Sequence, residues 1–559
     1  MKRWKSLMAL MLALCLVLSG CSGLSGGKAS QMDEINGALE VGQDADDYRT
    51  TYEVFVYSFY DSDGDGIGDL RGVLEKLDYI NDGAAGEGED LECSEIWLMP
   101  IFPSPTYHKY DATDYTAVDP EYGTMDDFDA LLEACHKRGI RLILDLAVNH
   151  TSSEHPWFLE ASEYLKSLPE GQEPSASDCP YFEYYNFSRD AQSGYTPIGD
   201  SGWYYESRFW SGMPDLNLDS QAVRDEIVSV MEFWLGKGVD GFRLDAVTSY
   251  YTGYHERNVA FLSWLKTEAE RINPAVYLVA ECWEDQSVYA EYYRSGLDSF
   301  FDFRFAGQDG LITNVVRGAR SASSFGDALQ AEEELYASYH GGYVNAPFYT
   351  NHDMARSAGY YASDDGSKTK LAMGLNLMMT GNAFIYYGEE IGMKGSGDDE
   401  NKRAPMYWIT EEEAKTDDQK ALLEGVCDGP PNMGKVVMKY PTLTAQMEDP
   451  YSIYCYVRHA IRLRNAYPVI ARGRTSVLGG LSGEDICAMI RMDGNDSVLI
   501  VINTSDEVQK VDLSKDAMAT PYTELGGVLI VNQNEVKLDG TTLTLPEYSI
   551  AVLTIPTGE

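Results

Sequence analysis

From Tyr52 onward, short apolar runs alternate with stretches of helical period. Runs at Glu53–Phe59, Glu95–Met99, Arg141–Asn149, Gly241–Val247, Val276–Glu281, Ser299–Phe305, Tyr343–Thr350 and Ala383–Tyr387 read as strands. Between two of them, Val223, Ile227, Val230, Met231 and Trp234 recur at helical spacing, and Gly236 and Gly238 break the pattern before the next strand. Eight strands with helix-like connections predict an α/β fold, a closed parallel (β/α)8 TIM barrel.

Two stretches depart from this rhythm. Residues 151–213 are rich in Tyr, Ser, Pro and Gly with little period, and a connection of that length inside a compact domain is usually functional. They predict a small subdomain inserted after the third strand, which divides the barrel into residues 48–150 and 214–466. From 467 to 559 the pattern changes to short β-rich runs, Ser497–Asn503, Val528–Val531 and Thr542–Leu545, separated by Gly, Asp and Asn. These predict a C-terminal antiparallel β-sandwich.

The N-terminus reads differently. Lys2, Arg3 and Lys5 precede an apolar stretch, Leu7 to Leu18, that is too short for a comfortable membrane span. Residues 1–20 are read as a signal peptide. Leu18-Ser19-Gly20-Cys21 resembles a bacterial lipobox, which implies a lipidated Cys21 and a chain anchored to the extracytoplasmic face of the cell membrane. Residues 21–47, Gly/Ser-rich and then acidic, predict a flexible tether.

Composition changes the picture in three ways. A net charge of −46 argues against nucleic acid or anionic lipid as a partner, since both need a basic face. Of nine cysteines, Cys15 would leave with the signal peptide and Cys21 carry the lipid; the seven that remain, at 93, 135, 179, 282, 427, 455 and 487, are odd in number and irregularly spaced, which is no disulfide framework and no zinc site. The 39 tyrosines suit stacking on sugar rings, or simply coat a solvated surface. A monomer is expected.

Candidate chemistry collects at the strand ends, where barrel active sites lie. In RLILDLAVNH, period two puts Leu142, Leu144, Leu146 and Val148 on one face and Asp145 and Asn149 on the other. In GFRLDAV, Arg243 and Asp245 share a face; YLVAEC ends on Glu281, and NAPFYTNHD on Asn351, His352 and Asp353. A buried strand carboxylate is costly unless paired. One alone is more often structural; three with an arginine at successive strand ends fit the carboxylate pair of glycoside hydrolysis plus one further charge.

These clusters, with their flanks from Tyr52 to Trp408, resemble the motifs of glycoside hydrolase family 13, the α-amylase family. The resemblance implies that Asp245 is the nucleophile, Glu281 the general acid and base, and Asp353 the transition-state stabiliser. It also implies that His150 and His352 bond to the sugar, that Arg243 orients Asp245, and that Tyr110 and Asp111 supply a stacking platform and a polar contact. Met213–Asn217 (MPDLN) is similar to the family's fifth motif, between the forms of oligo-1,6-glucosidases and neopullulanases. The implied activity is retaining hydrolysis of α-1,4 bonds in starch and maltooligosaccharides. An α-glucosidase, cyclomaltodextrinase or glucanotransferase would use the same scaffold, and a non-catalytic glucan-binding lipoprotein is the rival from another class. Many α-amylases carry Lys-His where this chain has Thr248 and Ser249. Asp111 and Arg403 match a pair that closes the pocket of related exo-α-glucosidases, so endo and exo action both stay open.

A further motif, DSDGDGIGD, places Asp at positions one, three, five and nine and Gly at six, the pattern of a calcium loop. An EF-hand would need Glu where Gly72 stands. Related amylases carry a similar loop after the first strand, which implies Ca2+ held by Asp61, Asp63, Asp65, the carbonyl of Ile67, and Asp69.

Overall fold

The computed structural model describes residues 29–42, 48–86, 88–169 and 171–556. The lipobox and Cys21 lie outside them. Seven parallel strands form a curled sheet: β1 Thr50–Val54, β2 Glu95–Leu98, β3 Arg141–Leu146, β4 Gly241–Leu244, β5 Tyr277–Ala280, β6 Ser299–Phe300 and β7 Ala383–Tyr386. They pair in chain order from β1 to β6, and β7 pairs back on β1. The remaining wall is Tyr343–Thr350, which forms no ladder. It touches its neighbours through single parallel bridges, Phe301 to Ala346 and Phe348 to Phe384. Pro347 has no N–H to give, yet its carbonyl accepts from Phe384 at 2.8 Å, so the barrel still closes.

The inward phase of the strands carries its own core. Trp97, Ile143, Tyr277, Val279, Phe301, Ala346, Phe348 and Phe384 fill the barrel, while Leu142, Leu144 and Leu146 belong to the outer core under the helices. The helix Gln221–Lys237 runs through Gly236 and stops at Gly238, whose φ of 108° provides the left-handed cap. The first strand is shorter at its C-terminal end than the apolar run Glu53–Phe59 implies. After Val54 the chain turns in a 3-10 segment, Val56–Ser58, and buries its aromatics as a turn.

Residues 187–206 form a separate sheet of three short strands inside the insertion. The C-terminal part holds a five-stranded and a three-stranded antiparallel sheet. All seven described cysteines are buried and free. No helix among the described residues is long and apolar enough to cross a membrane.

The expected flexible tether is not uniform. Its part at 29–42 contains a helix, Gln31–Ile35, closed by a capping box on Ser30. Asn36 bonds both the N–H and the carbonyl of Val528, and Gln31 does the same for Val536. Met32 is fully buried and Asp33 meets His459 at 3.1 Å. Side chains that complete backbone bonds of the C-terminal domain hold this stretch in place. Local composition does not reveal such partners.

Candidate active site

β3, β4 and β5 end beside one another, and their inward phase turns from apolar to charged at the last residues. Arg243 faces Asp145 in register. Its guanidinium lies 5.1 Å above the Trp97 ring, on the aromatic floor of the barrel. Nη1 donates to Asp145 at 2.9 Å and to Asp245 Oδ1 at 2.6 Å, while Nη2 meets Glu281 Oε2 at 2.9 Å. One cation thus serves three buried carboxylates and cannot neutralise them all. Burial pushes Glu281 up to about 7, helped by the charges of Asp245 and Asp353 and opposed by Arg243. Burial likewise pushes Asp145 up to about 6 against the pull of Arg243.

The turn after β4 binds the two outer acids together. Ala246 adopts a positive φ of 43°, uncommon for a residue with a side chain. Its N–H donates to Glu281 Oε2 at 3.2 Å, and the Val247 N–H to the Glu281 carbonyl at 3.0 Å. Backbone strain here is tied to carboxylate placement, a pattern common at functional sites.

Asp353 stands across the cleft and is the most open of the three, with its side chain 33% exposed. Burial would raise its carboxyl, but His352 and Arg403 hold it well below the usual carboxylate range. His352 is buried, which opposes its charge; Asp353 at 3.2 Å and Glu53 at 2.5 Å outweigh burial and bring it up to about 10. Tyr110 joins both groups. Its hydroxyl lies 2.9 Å from Asp145 Oδ2 and 2.8 Å from His352 Nε2, and its ring stacks on His352 at 5.6 Å. Burial lowers the pKa of His150, and its Nε2 has no hydrogen-bond partner.

The remaining sequence candidates divide. Asp111 does not pair with Arg403. It is buried and accepts from the hydroxyls of Ser104, at 2.8 Å, and Thr106, while Arg403 goes to Asp353 at 2.8 Å. The loop between Ser104 and Asp111 folds back on itself and satisfies the acid locally. Asp61, Asp63 and Asp65 gather, with one oxygen from each within 4.8 Å of the others. Asp69 stands apart. Its carboxylate accepts from Gly72 N and from Ser62 N and Oγ, each at 2.8 Å, and so caps the helix Leu70–Glu75. Ile67 donates its N–H to Asp65 at 2.8 Å. Asp215 of the fifth motif bridges to His150 and accepts from Asn149 at 3.1 Å, tying the inserted subdomain to the end of β3.

Sequence reasoning missed Glu53 and Tyr107 and gave Asp145 no role. Glu53 and Asp145 were legible as lone acids on the inward phase of buried strands; nothing in the sequence marks Tyr107. Phe209 meets His150 with ring centroids 5.2 Å apart, and Trp283, two residues beyond Glu281, stacks on Phe303 at 5.0 Å. Phe209, Trp210 and Trp283 are each about half exposed.

The α-amylase catalytic-domain model matches residues 53–473, and that of the α-amylase SusG C-terminal domain matches residues 486–552. Alpha-amylase 3 of Dictyoglomus thermophilum is 38% identical over 432 residues, covering 76% of this chain and 78% of its own. Trehalose synthase/amylase TreS of Mycobacterium tuberculosis is 31% identical over 570 residues, covering 91% and 90%. The solved structure of Eubacterium rectale Amy13B superposes with a TM-score of 0.89 at 47% identity, covering 95% of this chain and all of that one.

Proposed function

As the chain belongs to the α-amylase family of glycoside hydrolases, we propose that it hydrolyses α-1,4-glucosidic bonds of starch and maltooligosaccharides, with retained configuration and from within chains. The observation that carries the chemistry is the single guanidinium of Arg243 gripping Asp245 and Glu281 from its two terminal nitrogens. Two carboxylates on neighbouring nitrogens sit close together, as double displacement requires (about 5–5.5 Å between carboxyls).

Asp245, bonded by Arg243, attacks the anomeric carbon. Glu281 keeps its proton near neutrality and gives it to the departing glycosidic oxygen. A glycosyl ester on Asp245 then carries no charge, so the repulsion that adds to burial in raising Glu281 falls, and its carboxylate takes a proton from the water that cleaves the ester. Asp353, held ionised by His352 and Arg403, faces the positive charge that develops on the sugar. The unpartnered Nε2 of His150 is free to meet a sugar hydroxyl.

Action within chains draws support from two features. Asp111 and Arg403, which match the pocket-closing pair of related exo-α-glucosidases, do not bond to each other, and half-exposed aromatics stand on the insertion and beyond Glu281. Flat rings of that kind stack on successive sugars. Asp61, Asp63 and Asp65 offer a cluster of hard oxygens suited to Ca2+, and Asp69 and the Ile67 carbonyl complete the ligand set that the family resemblance implies. The ion would brace the turn after β1. Lipidation of Cys21 would place the enzyme on the outer face of a membrane.

The product series from maltoheptaose decides this reading. Early release of mixed short maltooligosaccharides is expected; glucose alone from the earliest times would instead favour an exo-α-glucosidase, and trehalose would favour a synthase.

A further inference from the structure

Arg403 is buried, and three of its nitrogens have partners. Nη2 bonds Asp353 Oδ1 at 2.8 Å, Nε reaches the His352 carbonyl at 3.4 Å, and Nη1 donates to the Tyr107 hydroxyl at 3.2 Å. Tyr107 is itself held. Its ring meets the edges of Phe55 and Tyr57, both from the segment after β1, at 6.2 and 6.1 Å with interplanar angles of 76°. Burial pushes its phenol up to about 12, so it stays neutral and accepts from Arg403 without drawing the cation's charge away from Asp353. On the other side, Lys402 Nζ donates to the Asp353 carbonyl at 3.0 Å.

We infer that Tyr107 is a positioning residue that sets the plane of the Arg403 guanidinium against Asp353. The inference rests on the role given to Asp353 above. A guanidinium is a flat fork, and its bond to a carboxylate is directional. Two contacts on one side leave the plane free to tilt, and a third acceptor at Nη1 fixes it. Asp353 is the most exposed of the three acids, so its side chain depends most on such partners. Because Asp353 acts on charge that develops in the transition state, a loosened Arg403 should lower kcat more than it raises KM.

Tyr107→Phe removes the hydroxyl and keeps the ring. With a chromogenic aryl maltooligoside, kcat should fall about tenfold, the size of one hydrogen bond to a charged group, with KM within about twofold of wild type. The thermal melt should stay close to that of wild type. The decisive readout is a double-mutant cycle. In an Arg403→Ala background, Y107F should change kcat by less than about twofold, because the link it acts through is gone. Equal losses in both backgrounds, or wild-type kcat for Y107F, would overturn the inference. Should Y107F not fold, 4-fluorophenylalanine at position 107 fills the space of the hydroxyl while offering Arg403 Nη1 only a weak acceptor. A tenfold loss of kcat supports the inference, and wild-type kcat overturns it. A wild-type enzyme inert on every α-glucan would remove the functional reading and this inference with it; an active enzyme with an additive cycle removes only the inference.

Discussion

Replacing Glu281 by Gln should stabilise this protein at alkaline pH while removing its activity. Glu281 is buried among Asp245, Asp353 and Arg243, and its proton leaves at about 7 where an unfolded glutamate loses its own at about 4.5. The folded carboxyl therefore holds its proton more tightly than the unfolded one. Between those two values the native state binds more protons than the unfolded state, so stability falls as pH rises and the loss is complete above about 7. At roughly 1.36 kcal/mol per pH unit, the ionised form costs up to about 3.5 kcal/mol. Asp145 shares Arg243 and re-adjusts when Glu281 is neutral, so about 2 kcal/mol is the working figure for this coupled site. Gln imitates the protonated acid and escapes that cost.

For a chain of this length the unfolding entropy comes to roughly 1 kcal/mol per degree, so E281Q should melt about 2 °C above wild type at pH 8. The gap should narrow toward pH 4.5, where native Glu281 is protonated and the unfolded one half so. Scanning calorimetry of the two proteins from pH 4.5 to 8.5 makes the comparison. A constant offset at every pH, or an E281Q protein less stable at pH 8, would refute the argument that burial among like charges raises this carboxyl.

Other expectations follow from the same geometry. In wild type, kcat/KM on a maltooligosaccharide should decline on its basic limb with a midpoint near 7, as Glu281 loses the proton it must donate; a flat profile to pH 9 would exclude that donor. Chelation of calcium-loaded protein should lower the melting temperature, since an ion bound only to the native state stabilises it by mass action. Asp63→Ala with Asp65→Ala should abolish that sensitivity, and an unchanged melt with chelator would remove the ion from this loop. Cys21→Ser should move the protein from the membrane to the soluble fraction or leave it unprocessed. Mainly soluble wild type with no lipid mass on residue 21 would end the anchoring proposal.

The barrel was legible because alternation along a strand is enforced by geometry. Leu142, Leu144 and Leu146 had to pack outward under helices if Asp145 pointed in, and they do. The three catalytic candidates were legible for the same reason, as polar residues at the ends of runs that are otherwise buried. What sequence could not supply were contacts made across the fold. Whether Asp111 and Arg403 approach each other stayed open in the sequence, because spacing along the chain does not fix the distance between two loops. Only the folded loop shows Ser104 and Thr106 already bonded to Asp111, and Tyr107 reaching Arg403. Residues 29–42 looked like a tether because their order comes from partners such as Val528, 492 residues from Asn36. Asp69 fitted the spacing of a ligand set, and only the fold shows its second duty as the cap of the helix that begins at Leu70.

The central claim is that Asp245 forms the covalent bond to the sugar while Glu281 manages the proton. An activated α-maltosyl fluoride needs little acid help to leave, so E281Q should still be glycosylated but hydrolyse slowly. Intact mass spectrometry followed by peptide mapping should show one maltosyl increment, located on Asp245. No adduct, or an increment on any other side chain, would contradict the assignment.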